Sequence, residues 1–161
     1  MDGLQLRDHV VRPTLEAIEL WSEASERLVM GTAAHESAGF RYVRQLGGGP
    51  ALSLWQIEPA TYRDLMINTL PGLRPGLRAR FAALFPAPGR PCPDPSQLVR
   101  DLALGAAVCR LLYYRHPDPL PAAYEIERLA ELWKRVYNTP AGAGSPAAWL
   151  QNFRLYCTWY Q

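Results

Sequence analysis

One carboxylate stands out among the residues able to do acid–base chemistry. Val29, Thr32, Ala33 and Glu36 recur at i, i+3, i+4 and i+7, so a helix reaching Glu36 places that acid on its apolar face. A carboxyl group beside apolar surface tends to keep its proton, because desolvation penalises the charged form. A proton held near neutral pH is what general-acid catalysis needs. The same spacing fits a plainer outcome, in which Glu36 sits in a frayed last turn and points to water. His35 is its neighbour, but successive helical residues point about 100° apart, which puts His35 on an exposed or cleft-edge face.

Other chemistry-bearing patterns do not complete themselves. The segment His35-Glu36-Ser37-Ala38-Gly39-Phe40 has no second histidine at zinc-site spacing. His9, His35 and His116 lie far apart, and none pairs with a cysteine as a structural metal site requires, so no metal and no cofactor are expected. Gly47-Gly48-Gly49-Pro50 lacks the Gly-Lys-Ser/Thr that makes a phosphate loop. Cys92, Cys109 and Cys157 are odd in number and widely spaced, so no disulfide framework is expected. Arg74, Arg78, Arg80 and Arg90 form a basic stretch with no acid between Leu65 and Pro93. Such a stretch fits a solvated helix face, an anionic polymer, or a partner surface.

The elements that must position these groups are mostly helices. Apolar periodicity near 3.6 predicts a first helix over Leu4–Leu20 with Pro13 near its start or at a kink. A second helix, capped by Ser25, runs to Glu36. Ser37–Glu58 is glycine-rich and is expected to form a cleft loop or a short hairpin. Glu58-Pro59-Ala60-Thr61 opens a further helix, with proline in its first turn. Leu70–Pro95 is broken by prolines and holds one short helix near Leu77–Leu84. Ser96 starts an apolar helix to Arg115, Pro121 starts another to Tyr137, and Ser145-Pro146 starts the last. Along that last helix Trp149, Phe153, Tyr156 and Tyr160 form an aromatic stripe, which reads as core packing or as an exposed docking surface. A chain of 161 residues, 48% hydrophobic, is long enough to bury one full core, so residues 1–161 read as a single domain. Its net charge of +2 is too small to make nucleic acid the expected partner. No run approaches the roughly 18 apolar residues of a membrane span, and Met1–Val11 has no secretory-signal pattern.

Four blocks in order resemble the lysozyme-like lytic transglycosylases. Glu36-Ser37-Ala38-Gly39-Phe40 is similar to that family's Glu-Ser-Gly-Phe segment. After a glycine loop, Ser53-Leu54-Trp55-Gln56-Ile57-Glu58-Pro59-Ala60-Thr61 resembles Gly-Leu-Met-Gln-x-x-Pro-x-Thr. Leu104-Gly105-Ala106-Ala107-Val108-Cys109-Arg110-Leu111-Leu112 resembles a Gly-Ala-x-Tyr-Leu helix, and Tyr137-Asn138 resembles the start of Tyr-Asn-x-Gly. The blocks span about residues 28–150. Ala38 is an insertion, Ser53 replaces a glycine, no serine stands in Gln45–Gly49, and Thr139-Pro140 replaces a small residue and glycine.

The resemblance implies an α+β lysozyme-like fold that is mostly α. It implies that Glu36 is the acid and then the base, that Tyr137 orients it, and that Ser37, Trp55, Gln56 and Asn138 serve the substrate or the cleft wall. Trp55 is open between stacking on a sugar, desolvating Glu36, and packing in the core. Glu58 is the candidate second carboxylate or a first-turn helix acid. A hydrolase needs two carboxyl groups about 5–5.5 Å apart for retention or about 6.5–9.5 Å for inversion. A lytic transglycosylase does not, because the sugar's own 6-hydroxyl attacks. The implied activity is cleavage of the β-1,4 bond from N-acetylmuramic acid to N-acetylglucosamine in the peptidoglycan glycan strand. Without a signal peptide, delivery is expected through a phage virion or tail, alongside other virion proteins, into the host periplasm, with release through a lysis pore or another export system as the other routes. The contrasting reading is a non-catalytic structural or adaptor virion protein with a lysozyme-like fold.

Overall fold

Helix boundaries in this chain lie where side chains or prolines replace missing backbone bonds. A computed structural model describes residues 1–85, 94–139 and 142–160; Arg90, Cys92 and Pro140 lie outside the described residues. Helix α1 consists of Gly3–Leu6, a π turn at Arg7–Val11, and Arg12–Ala17. Pro13 has no N–H to donate, and with the π turn directly before it the helix passes the proline without stopping. Glu19, at φ +55°, ends the run as Leu20 N–H returns to the Leu15 carbonyl at 2.9 Å.

Helix α2, Glu23–Glu36, starts at Ser22 and not at Ser25. Ser22 Oγ accepts from Ser25 N–H at 3.1 Å, and Ser25 Oγ accepts from Ser22 N–H at 2.8 Å, a reciprocal box that makes Ser25 the third helical residue. Helix α3, Pro59–Asp64, opens with Glu58 and Pro59 as the sequence predicts and continues into a π turn at Leu65–Thr69. Helix α4 is Pro75–Ala82.

The apolar helix expected from Ser96 to Arg115 is two helices, α5 (Gln97–Arg100) and α6 (Leu102–Tyr114). Asp101 divides them because its backbone is extended and its carboxylate accepts from Leu104 N–H at 2.9 Å. Helix α7, Ile126–Leu132, begins five residues after Pro121, since Glu125 takes the Ala122 N–H and holds a separate turn there. It continues as a π turn over Trp133–Asn138. Helix α8, Pro146–Tyr156, is capped by Ser145, whose hydroxyl accepts from Ala148 N–H at 3.2 Å. Tyr160 falls beyond it, in a 3-10 turn at Thr158–Tyr160.

The architecture is mostly α. Among the described residues no strand forms, and the hairpin expected in residues 37–58 is reduced to isolated bridges from Arg44 to Leu52 and from Leu52 to Ile57. Three glycines in a row and turns at Ser53 and Gln56 leave too little regular backbone for a ladder. One contiguous core joins α1 to α8. Helix α2 packs on α8, α1, α6 and α7. Gly31 sets the closest approach, because a Cβ there would lie 2.1 Å from Trp149 Cζ2. Trp149, Phe153 and Tyr160 stack with centroids 5.2 and 5.8 Å apart. Trp149 and Phe153 are buried, so this stripe packs the core and is not an exposed patch. Arg74, Arg78 and Arg80 are exposed; Arg80 pairs with Glu19, and Arg78 donates to the Pro71 carbonyl. No helix among the described residues is long and apolar enough to cross a membrane.

Candidate active site

Glu36 occupies the last position of α2, where the chain turns sharply away. Ser37 makes that turn: its hydroxyl donates to the Ala33 carbonyl at 2.6 Å and accepts from Phe40 N–H at 3.0 Å. Ala38, Gly39 and Phe40 follow with φ of 51°, 79° and 64°, a left-handed run that only Gly39 adopts at little cost. Ser37 is wholly buried, so it shapes the turn and does not face a substrate as expected. The glycine loop then leads to a second tight turn. Leu52 and Ile57 exchange backbone bonds at 3.0 and 2.7 Å, and Ser53 and Gln56 take φ of 71° and 46°.

This second turn faces Gln56 into a cavity of about 590 Å³ that Glu36 also lines. Gln56 Nε2 donates to the Ser53 carbonyl at 2.9 Å, so the side chain is held as part of the wall. Trp55 goes the other way. It is fully buried, and its indole N–H donates to the Val29 carbonyl on α2 at 2.9 Å, which fixes it in the core and rules out stacking on a sugar. Ser53 lies under α6, where a Cβ on Gly105 would come within 2.3 Å of its Oγ. Its buried hydroxyl has no hydrogen-bond partner among the described residues.

The opposite wall comes from the π turn that ends α7, which brings Tyr137 and Asn138 to the cavity. Tyr137 stacks on Tyr113 at 5.5 Å and donates its hydroxyl to the Trp55 carbonyl at 2.6 Å. It thus ties α7 to the Gln56 turn and makes no hydrogen bond to Glu36, contrary to the expected orienting role. Asn138 accepts from Lys134 Nζ at 2.8 Å, and the same ammonium donates to the Gly142 carbonyl at 2.7 Å. Glu58 is exposed on the rim of the same cavity and precedes α3. Arg115 also lines it and pairs with Asp64 at 2.6 Å.

The partner of Glu36 is one that sequence reading missed. Trp133 Nε1–H donates to Glu36 Oε1 at 3.1 Å, from 97 residues away in the chain. Trp133 opens the π turn that also carries Tyr137, and because that turn departs from the 3.6 period no spacing in the sequence singles it out. Burial pushes the Glu36 carboxyl up to about 7, and the Trp133 hydrogen bond pulls weakly the other way. His35 is half-buried in a T-shaped contact with Trp133, 4.6 Å between ring centroids, and burial lowers its pKa.

The arrangement is an acid titrating near neutrality in the wall of an open cavity, with amide and hydroxyl side chains around it. Among the described residues no three of His, Cys, Asp and Glu converge as metal ligands would. No protein-family model matches the chain, and neither curated proteins nor solved structures give a match.

Proposed function

We propose that the chain is a peptidoglycan-cleaving lytic transglycosylase that acts between N-acetylmuramic acid and N-acetylglucosamine. The observation that carries this reading is Glu36, held by burial to a pKa of about 7 in the wall of the cavity shared with Gln56 and Asn138. The block order around Glu36, Gln56 and Tyr137 supports the same reading. Protonated Glu36 gives its proton to the glycosidic oxygen as the bond from that oxygen to the muramic C1 breaks. The resulting carboxylate then takes the proton of the muramic 6-hydroxyl as O6 bonds to C1. The products are a free 4-hydroxyl end and a 1,6-anhydro end; no water is consumed. Delivery in a phage virion or tail to the host periplasm belongs to this proposal.

Glu58 on the rim supports a hydrolytic variant, in which a second carboxylate activates water or attacks C1. The test is digestion of purified peptidoglycan at pH 4 to 8 with mass spectrometry of the products. Anhydro ends, retained in Glu58→Gln, are expected; reducing ends that vanish in Glu58→Gln make the enzyme a muramidase. No product at any pH overturns both. An exposed aromatic face on α8 would favour an adaptor role, and Trp149 and Phe153 are buried.

A further inference from the structure

We propose that Trp133 is a positioning residue for Glu36: its indole N–H occupies Oε1 and so reserves Oε2 for the proton that is transferred. The inference rests on the acid role given to Glu36 above. An indole N–H only donates, so the oxygen facing it must act as an acceptor. In a protonated carboxyl group the carbonyl oxygen is the better acceptor, which leaves the hydroxyl on the other oxygen. The 3.1 Å contact to Oε1 therefore selects which oxygen carries the proton.

The ring that makes this contact is held on several sides. Trp133 is completely buried. His35 meets it in a T-shaped contact at a 71° interplanar angle, and Asn152 Nδ2 lies 2.9 Å from His35 Nδ1 in a hydrogen bond. Gly144 closes on it from another direction, since a Cβ there would lie 2.5 Å from Trp133 Cη2. An indole clamped in this way does not follow the carboxyl group if Glu36 rotates; the carboxyl group must come to it. The first turn of the π segment that begins at Trp133 is thus also the element that delivers Tyr137 and Asn138 to the cavity.

The titratable groups around Glu36 leave its protonation distinguishable. Burial raises the pKa of Cys109 and Tyr113 on α6 and of Tyr137 on α7 well above their ordinary values, so all three stay neutral near pH 7. Burial lowers that of His35. Glu58 and Arg115 line the cavity.

The test is a pH titration of the intact chain by NMR, following the Trp133 indole nitrogen and the Glu36 carboxyl carbon, together with the pH profile of peptidoglycan cleavage. The indole resonance is identified by its loss in Trp133→Phe. In the wild type it is expected to move with a midpoint near 7, and in Glu36→Gln to stay flat. Removing a donor that favours the ionised form raises the carboxyl pKa, so in Trp133→Phe the Glu36 midpoint rises by about one unit. The falling alkaline limb of activity moves up with it, while kcat drops and KM changes little. An indole that ignores pH in the wild type overturns the proposal. So does a Trp133→Phe protein whose activity drops with its pH limb unmoved, because lost packing alone gives that result. A wild type without product overturns the transglycosylase reading and the positioning role with it, whereas the indole titration reports separately on the hydrogen bond.

Discussion

Glu36 sets the needs of acid chemistry against those of folding. Its carboxyl group titrates at about 7 in the folded chain against an ordinary value of 4.5. The folded state therefore holds the proton more tightly than the unfolded one, and the sign of the linkage follows. Below about 4.5 both states are protonated and there is no penalty; between 4.5 and 7 the unfolded chain ionises while the folded carboxyl does not, so stability falls. Above 7 the loss is complete. Glu36→Gln stays neutral throughout, so in urea unfolding it is expected to match the wild type at pH 4 and exceed it by about 1–3 kcal/mol at pH 8. The same variant is expected to lose at least about 100-fold in peptidoglycan cleavage. A gain in stability paired with a loss of activity separates a functional acid from a structural one. Ser53 stores a second local cost: a left-handed φ of 71° and a buried hydroxyl without a partner among the described residues. Ser53→Gly relieves both and is expected to raise stability by about 0.5–1 kcal/mol, read as a higher Tm.

Helices were legible in the sequence from apolar period, and their starts at some caps and prolines but not at Pro121. Pro59 and Ser145-Pro146 mark their starts because proline suits a first turn and serine can take the orphaned N–H groups. Ser22 and Ser25 both had that ability, and which one caps depends on a reciprocal pair of bonds that spacing alone does not rank. Asp101 was hidden inside an unbroken apolar period. The π turns at Arg7–Val11, Leu65–Thr69 and Trp133–Asn138 depart from the 3.6 period on which the helical reading rests. Glu36 was legible because its position on a buried face is a local property; Trp133 was not, because its meeting with Glu36 is made by tertiary packing. That packing depends on small residues where helices cross. Gly31→Ala puts a Cβ into the buried rings of Trp149 and Phe153, at 2.1 and 2.9 Å, so α2 and α8 must separate. The expected cost is about 1–3 kcal/mol in urea unfolding, despite alanine's better helix propensity.

Across the whole molecule, α2 acts as a rod with a differently treated carboxylate toward each end. Glu26 lies near its start and Glu36 at its finish, about 15 Å apart along the axis. The helix dipole favours negative charge at the first position and disfavours it at the second. Packing extends the contrast. Burial pushes Glu26 up, but hydrogen bonds from Arg12 at 2.7 and 3.0 Å, Trp21 at 2.9 Å and Tyr160 at 2.6 Å outweigh it and hold the carboxyl below its ordinary value. Glu26 thereby joins α1, α2 and the C-terminal turn, whereas Glu36 has, among the described residues, the Trp133 donor alone and a cavity in front of it. A lowered folded pKa contributes stability that is present above the unfolded value and lost as the pH falls through the folded one, the reverse of Glu36. Glu26→Gln removes the ionised acceptor of three donors, while the half-exposed Arg12 left behind is screened by solvent, so the chain is expected to lose about 1–3 kcal/mol at pH 7. In urea unfolding the gap to the wild type should narrow toward pH 2, as the wild-type carboxylate is itself protonated. Cleavage by the fraction that remains folded should stay at the wild-type level, since Glu26 lies outside the Glu36 cavity. A Glu26→Gln protein that kept full stability but lost cleavage would reverse the two assignments and move the chemistry to the other end of the rod.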